Sequence, residues 1–210
     1  MLIRLLLVGA SGAVGQQVLQ QALADPRVAH VIAVTRRPLP QQSRLENHVV
    51  DFFSLPTEAP WWQVDAVICT LGTTIKAAGS EAAFAAVDRD LPILVAKLAR
   101  DAGATRFGLN SSLGADLKGN FYLRTKAQAE AAVGELGYPG FTIVRPSLID
   151  TVRSPARAGE SIALFFAQAC RPLISKRYRA VKPESIARAL LNGVLQNQSA
   201  TRIVESEELI

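Results

Sequence analysis

The chain has little cysteine, little histidine and no long hydrophobic run. Its two cysteines, Cys69 and Cys170, cannot build a disulfide framework, and neither has a second Cys or a His at metal-ligand spacing. A disulfide-stapled scaffold and a cysteine-ligated metal site are thereby excluded, no metal is expected, and a reducing, cytoplasmic setting fits. The opening apolar run, Leu2 to Val8, is far too short to cross a bilayer. Glycine follows it where a signal peptide would place a small-residue cleavage site, so no membrane partner is expected. Aromatics are only 6% of the residues and charges only 20%, while 49% are apolar, the make-up of a packed domain. At 210 residues one domain is expected, with a core over 1–150 and a C-terminal substrate-side segment over 151–210.

The net charge is +5, and Arg171, Lys176, Arg177, Arg179 and Lys182 lie close together. A single-strand binder interleaves such charges with aromatic stacking platforms, and here Tyr178 stands alone. Nucleic acid is therefore not the expected partner, and modest basicity also suits a protein that holds a phosphate-rich small molecule. The oligomeric state stays open, with a homodimer as the candidate.

Short apolar and β-branched runs alternate with helical patterns. Strands are expected over Leu2 to Val8, His30 to Thr35, His48 to Asp51, Val64 to Thr70, Thr105 to Asn110 and Phe141 to Val144. A helix follows the first strand, with Val14, Val18, Ala22 and Leu23 at helical spacing until Asp25-Pro26. Leu71 to Ser80 reads as a loop. Asp90 is placed to cap a helix running to Asp101, and a second helix runs from Phe121 to Leu136. Beyond Pro146 the pattern loosens, with helices expected from Ser161 to Cys170 and from Pro183 to Leu195, packed on the sheet as one wall of a site. The alternation predicts an α/β fold, a Rossmann-type doubly wound parallel sheet in a single domain with a short C-terminal extension. His30 and His48 each open a strand away from the ligand edge and read as structural, and Cys69 reads as a core residue.

The first strand runs into Gly9-Ala10-Ser11-Gly12-Ala13-Val14-Gly15, a G-x-x-G-x-x-G turn that opens a helix. Glycine lets the backbone approach a pyrophosphate, whose charge the free N–H groups and dipole of the helix start stabilise. A tight strand-to-helix turn without ligand is the alternative. After the second strand come Thr35-Arg36-Arg37, where an NAD site places a carboxylate for the ribose 2′-OH. No acid stands there, and two guanidiniums suit a 2′-phosphate, so NADP(H) is expected unless both are simply solvated charges. Asp51 and Phe52 are candidates to border the adenine, Asp51 being equally suited to cap a turn. Leu71, Gly72 and Thr73 are expected to pass beside the cofactor at the carboxyl end of the fourth strand.

Tyr122 and Lys126 are one helical turn apart and share a helix face. Carbonyl reduction needs a proton for the oxygen, which a phenol supplies when a neighbouring ammonium stabilises the phenolate. Ser112 is the candidate to orient the substrate oxygen, with Ser111 as its understudy. Each residue also has an ordinary structural role available, Tyr and Lys on an amphipathic helix and the Ser pair as a cap. The candidate catalytic set is Ser112, Tyr122 and Lys126, with Lys126 also reaching the nicotinamide ribose.

These motifs, with Val50-Asp51-Phe52, Cys69 through Thr74, Gly79, Val87-Asp88-Arg89-Asp90, Ser111 through Asp116, Asn120-Phe121-Tyr122-Leu123 and Arg145-Pro146, resemble the Tat-interacting-protein group of atypical short-chain dehydrogenase/reductases. The resemblance covers residues 3 to 150. It implies a Rossmann-type fold, NADP(H) binding and a Ser-Tyr-Lys site, and it implies no particular substrate. The expected activity is reduction of a carbonyl compound. The alternatives are an NADPH-responsive binding protein without turnover and sugar-nucleotide epimerase or dehydratase chemistry, for which the C-terminal tail is short. One departure is Ser147, where the group often has glycine, so the loop beside the nicotinamide is expected to take another path.

Overall fold

The computed structural model describes residues 2–150, 175–196 and 199–210. The expected helix from Ser161 to Cys170 and the basic residue Arg171 lie outside them. Seven strands, β1 (Ile3–Val8), β2 (Val28–Thr35), β3 (Leu45–Val49), β4 (Ala66–Cys69), β5 (Arg106–Asn110), β6 (Gly140–Arg145) and β7 (Thr201–Glu205), form one sheet. The spatial order is β3-β2-β1-β4-β5-β6-β7 and every pairing is parallel. This is the Rossmann order with one strand added at the β6 edge, and its switch point falls between β1 and β4.

Helices cover both faces. α1 (Ala13–Ala24) buries Val14, Val18, Leu19 and Ala22 on one face. α2 (Ile75–Ala78) and α3 (Glu81–Ala85) follow β4, capped by the Thr74 and Ser80 side chains. α4 (Leu91–Asp101) and α5 (Phe121–Glu135) cover the opposite face, with Val95 and Ala96 of α4 and Val133 of α5 packed against Leu6, Val8 and Phe107. α6 (Pro183–Leu195) lies beside α1 and adds Ile186, Leu190 and Val194 to the first face. A fully buried aliphatic side chain contributes about 1.5–3 kcal/mol, so these two apolar layers fix which ends of the strands stay open.

Five sequence expectations shift. The third strand begins at Leu45 rather than His48, because Asn47 ties this edge strand to Ala33 O and to Thr35 Oγ1 at 2.9 and 2.8 Å. β2 likewise begins before His30, at Val28, so His30 and His48 both fall within strands, beside the Glu46 carboxylate, with His48 also stacked on Trp61. Asp90 caps nothing. The chain is already helical from Glu81 and passes through a π-helical segment, Ala86–Asp90, into α4, while Asp90 pairs with Arg89. Finally, the stretch read as a loop contains α2, and β7 extends the sheet where no strand was expected.

Candidate functional site

At the β1–α1 turn two glycines work by leaving out a side chain. Gly9 has φ +93°, and a Cβ there would lie 2.6 Å from Thr70 Oγ1 and 2.8 Å from the Thr70 carbonyl carbon. A Cβ on Gly15 would lie 2.1 Å from Gly9 O. Ala10 and Val14 are buried in the core, so two of the seven residues of the predicted cofactor loop serve packing. Ser11, Gly12 and Ala13 remain exposed at the amino end of α1, where Gly12 offers its first-turn N–H groups no side-chain acceptor. Uncapped N–H groups at the positive end of a helix are an anion site.

From this turn a cavity of about 120 Å³ bordered by Gly9, Ser11, Gly12 and Arg36 opens toward a larger one of about 310 Å³ bordered by Phe53, Thr73, Val87 and Leu91. Arg36, Phe52, Leu71 and Gly72 line both. Arg36 is exposed and makes no salt bridge among the described residues. Arg37 is exposed too but lines neither cavity, and its carbonyl accepts from Thr35 Oγ1 at 2.7 Å. Asp51 caps the short turn Phe52–Ser54 by accepting from Phe53 N at 3.0 Å, while Phe52 supplies the apolar wall.

The second half of the site hangs on α5. Asn120 caps this helix by accepting from Leu123 N at 3.0 Å, which fixes where Tyr122 and Lys126 emerge. The Lys126 ammonium is buried, 2.6 Å from Asp88 Oδ1, and the other Asp88 oxygen accepts from Thr73 N at 2.9 Å. A Cβ on Gly72 would stand 3.4 Å from Asp88 Oδ1 and 3.7 Å from Lys126 Nζ. The ammonium therefore sits beneath the same turn that borders both cavities. Burial pushes the Asp88 carboxyl above its ordinary range, against the pull of Lys126 and the Thr73 N–H. Sequence reasoning missed Asp88. The motif Val87-Asp88-Arg89-Asp90 contained it, but nothing local marked one of its two aspartates as buried.

Tyr122 is half-buried, its ring packed on Phe84 with centroids 5.2 Å apart, and its hydroxyl has no hydrogen-bond partner among the described residues. Ser112 is half-buried and, among the described residues, its hydroxyl reaches only Leu113 O, at a long 3.5 Å. Ser111 differs: its hydroxyl donates to Glu130, which also holds Arg145 through two contacts of 3.0 and 2.6 Å. Arg145 continues to Glu205 of β7 at 3.1 Å, and these carboxylates raise its pKa above the ordinary value. Ser111 is thus committed to a network tying α5 to β6 and β7, while the hydroxyl of Ser112 has no strong partner among the described residues. Neither Ser112 nor Tyr122 lines the two cavities above.

Ser147 is absent from the positive-φ positions, so its backbone is not forced into the left-handed region. Its hydroxyl donates to Arg179 O at 2.5 Å and its N–H to Ser206 Oγ at 3.1 Å, which fastens the exit of β6. Cys69 is fully buried and its thiol is pushed up to about 12 by desolvation, so it is no nucleophile. Among the described residues no group of His, Cys, Asp and Glu could hold a metal, and no helix is long and apolar enough to cross a membrane.

A parallel sheet of this order, with an uncapped glycine turn at its switch point, defines an α/β dinucleotide-binding protein. Residues 9–161 match the family described as NAD(P)H-binding. Rat protein HTATIP2 is 35% identical over 195 residues, covering 90% of this chain and 80% of its own length. The mitochondrial protein fmp52 of Emericella nidulans is 35% identical over 201 residues, covering 90% and 86%. Among solved structures, MoeE5 in complex with UDP-glucuronic acid and NAD superposes with a TM-score of 0.73 at 16% identity, over 95% of this chain and 75% of that one. The Bordetella bronchiseptica enzyme WbmG in complex with NAD gives 0.69 at 16%, over 99% and 74%. At such identity the structural likeness speaks for the fold. The chain belongs to the NAD(P)H-binding family, in the atypical short-chain dehydrogenase/reductase group of the Tat-interacting protein, and is an NAD(P)-binding protein of oxidoreductase type.

Proposed function

We propose that the chain is an NADP(H)-dependent reductase acting on a small carbonyl compound. One observation carries this reading: the Gly72 turn that borders the glycine-loop groove also overlies the buried Lys126 ammonium. The residues fit the cofactor. The uncapped start of α1 suits a diphosphate, and the exposed Arg36 suits a 2′-phosphate, no carboxylate among the described residues lining this groove. Phe52, Leu71 and Leu91 form an apolar slot of the kind an adenine fills.

Bound NADPH supplies the hydride. Tyr122 holds the proton that the substrate oxygen takes up, its hydroxyl having no competing partner among the described residues. Ser112 donates to that oxygen and orients it. Lys126 stabilises the phenolate left on Tyr122, and Asp88 holds the ammonium beneath Gly72. A screen of carbonyl compounds with NADPH tests this assignment. Tyr122→Phe is expected to lower kcat by about 100-fold or more, and undiminished turnover in that variant contradicts it.

A second reading keeps the cofactor and drops the turnover. Asp88 favours it, because an ammonium already neutralised by a buried carboxylate stabilises a phenolate less. NADPH binding that alters a protein partner's affinity, with no carbonyl consuming the cofactor, supports that reading instead.

A further inference from the structure

Four central strands are in register across the sheet. Val8 pairs with Cys69, Cys69 with Leu109 and Leu109 with Ile143, and all four side chains enter the core layer under α4 and α5. One residue further along, side chains point to the other face, toward α1 and α6. That next row is Gly9, Thr70, Asn110 and Val144, with Asn110 paired to Val144 and Val144 packed in the α1–α6 layer. Gly9 and Thr70 border the glycine-turn groove. Asn110 is therefore the next position of the row, on the side away from Arg36.

Asn110 is only 9% exposed, yet its side chain makes no hydrogen bond among the described residues, and its Oδ1 is sealed from solvent without a donor. A buried acceptor left unpaired is destabilising, so its retention points to a donor that comes from elsewhere. The neighbouring hydroxyl of Ser111 cannot serve, being committed to Glu130. A dinucleotide with its diphosphate at the start of α1 and its adenosine half toward Arg36 extends its other half along this row. That half ends in a carboxamide, whose N–H₂ and C=O complement the acceptor and donor of an asparagine amide.

We propose that Asn110 recognises the carboxamide of the bound nicotinamide, an assignment that rests on the cofactor reading above. The test compares NADPH with its reduced 3-acetylpyridine analogue, in which a methyl group replaces the amide nitrogen, and with 2′,5′-ADP, which lacks the nicotinamide half. The native protein is expected to bind NADPH about tenfold more tightly than the analogue, the worth of one buried hydrogen bond. Asn110→Leu, which keeps the branched shape and removes both polar atoms, is expected to lose this preference while binding 2′,5′-ADP as the native protein does. Two results overturn the proposal: equal affinities of the native protein for NADPH and the analogue, which needs no variant, or a preference that persists undiminished in Asn110→Leu. If the native protein binds 2′,5′-ADP and both dinucleotides without distinguishing the two, only the role of Asn110 falls. If it binds none of the three, the cofactor reading falls with it.

Discussion

At the β1–α1 turn the chain is held by what is missing: Gly9 and Gly15 carry no Cβ, and Thr70, just past β4, and the turn itself pack into the vacated space. Across the switch point, at β5, β6 and α5, the same edge of the sheet is held by ionised side chains, Asp88 with Lys126 and Arg145 with Glu130 and Glu205. Failure should differ accordingly. The first region fails by steric overlap, which is blind to pH, and the second by a stranded buried charge, which a proton can relieve.

The largest effect is expected from Lys126→Met, which strands the Asp88 carboxylate with no exposure of its side chain. Removing one member of a buried pair costs about 3–5 kcal/mol. The pH dependence has a definite sign. Burial already raises the Asp88 carboxyl, and loss of the ammonium raises it further. An acid raised in the folded state favours folding below its unfolded pKa and loses that contribution as pH rises through the folded one. Urea unfolding should therefore show a deficit that is largest in mildly alkaline buffer and shrinks in acidic buffer, and a constant deficit contradicts the buried-pair account.

Gly15→Ala comes next, at about 3 kcal/mol, because the added carbon meets backbone at 2.1 Å and no flexible side chain can yield. Its deficit should be the same in both buffers, and a pH-dependent one would erase the contrast between the two regions. Arg36→Ala should change stability by no more than about 0.5 kcal/mol, since this side chain is exposed and makes no salt bridge among the described residues. Calorimetric titration of the variant should nevertheless lose about tenfold in NADPH affinity and little in NADH affinity. Equal losses, or equal native affinities, refute the 2′-phosphate role.

The same contrast explains what could be read before the structure was known. Gly9 through Gly15, Tyr122 with Lys126, and the helix from Pro183 to Leu195 are contiguous patterns whose geometry is set by neighbours in the chain, and all lie on the expected elements. Buried charge is set by partners far away. Asp88 and Lys126 are separated by two elements, Glu130 looks like an ordinary exposed residue of α5, and Glu205 lies in a strand with no apolar alternation to announce it. The third strand was misplaced for a related reason. Leu45-Glu46-Asn47-His48-Val49 is a half-exposed edge whose pairing depends on Asn47, while the more apolar His48-Val49-Val50 drew the expectation downstream.

The most direct test is a crystal structure of the protein with NADPH. The account predicts the diphosphate over Ser11 to Ala13, the 2′-phosphate against Arg36, and the nicotinamide ribose within hydrogen-bonding reach of Lys126 Nζ beside Gly72. A dinucleotide bound elsewhere, or one whose nicotinamide half turns away from Lys126 and Tyr122, contradicts it.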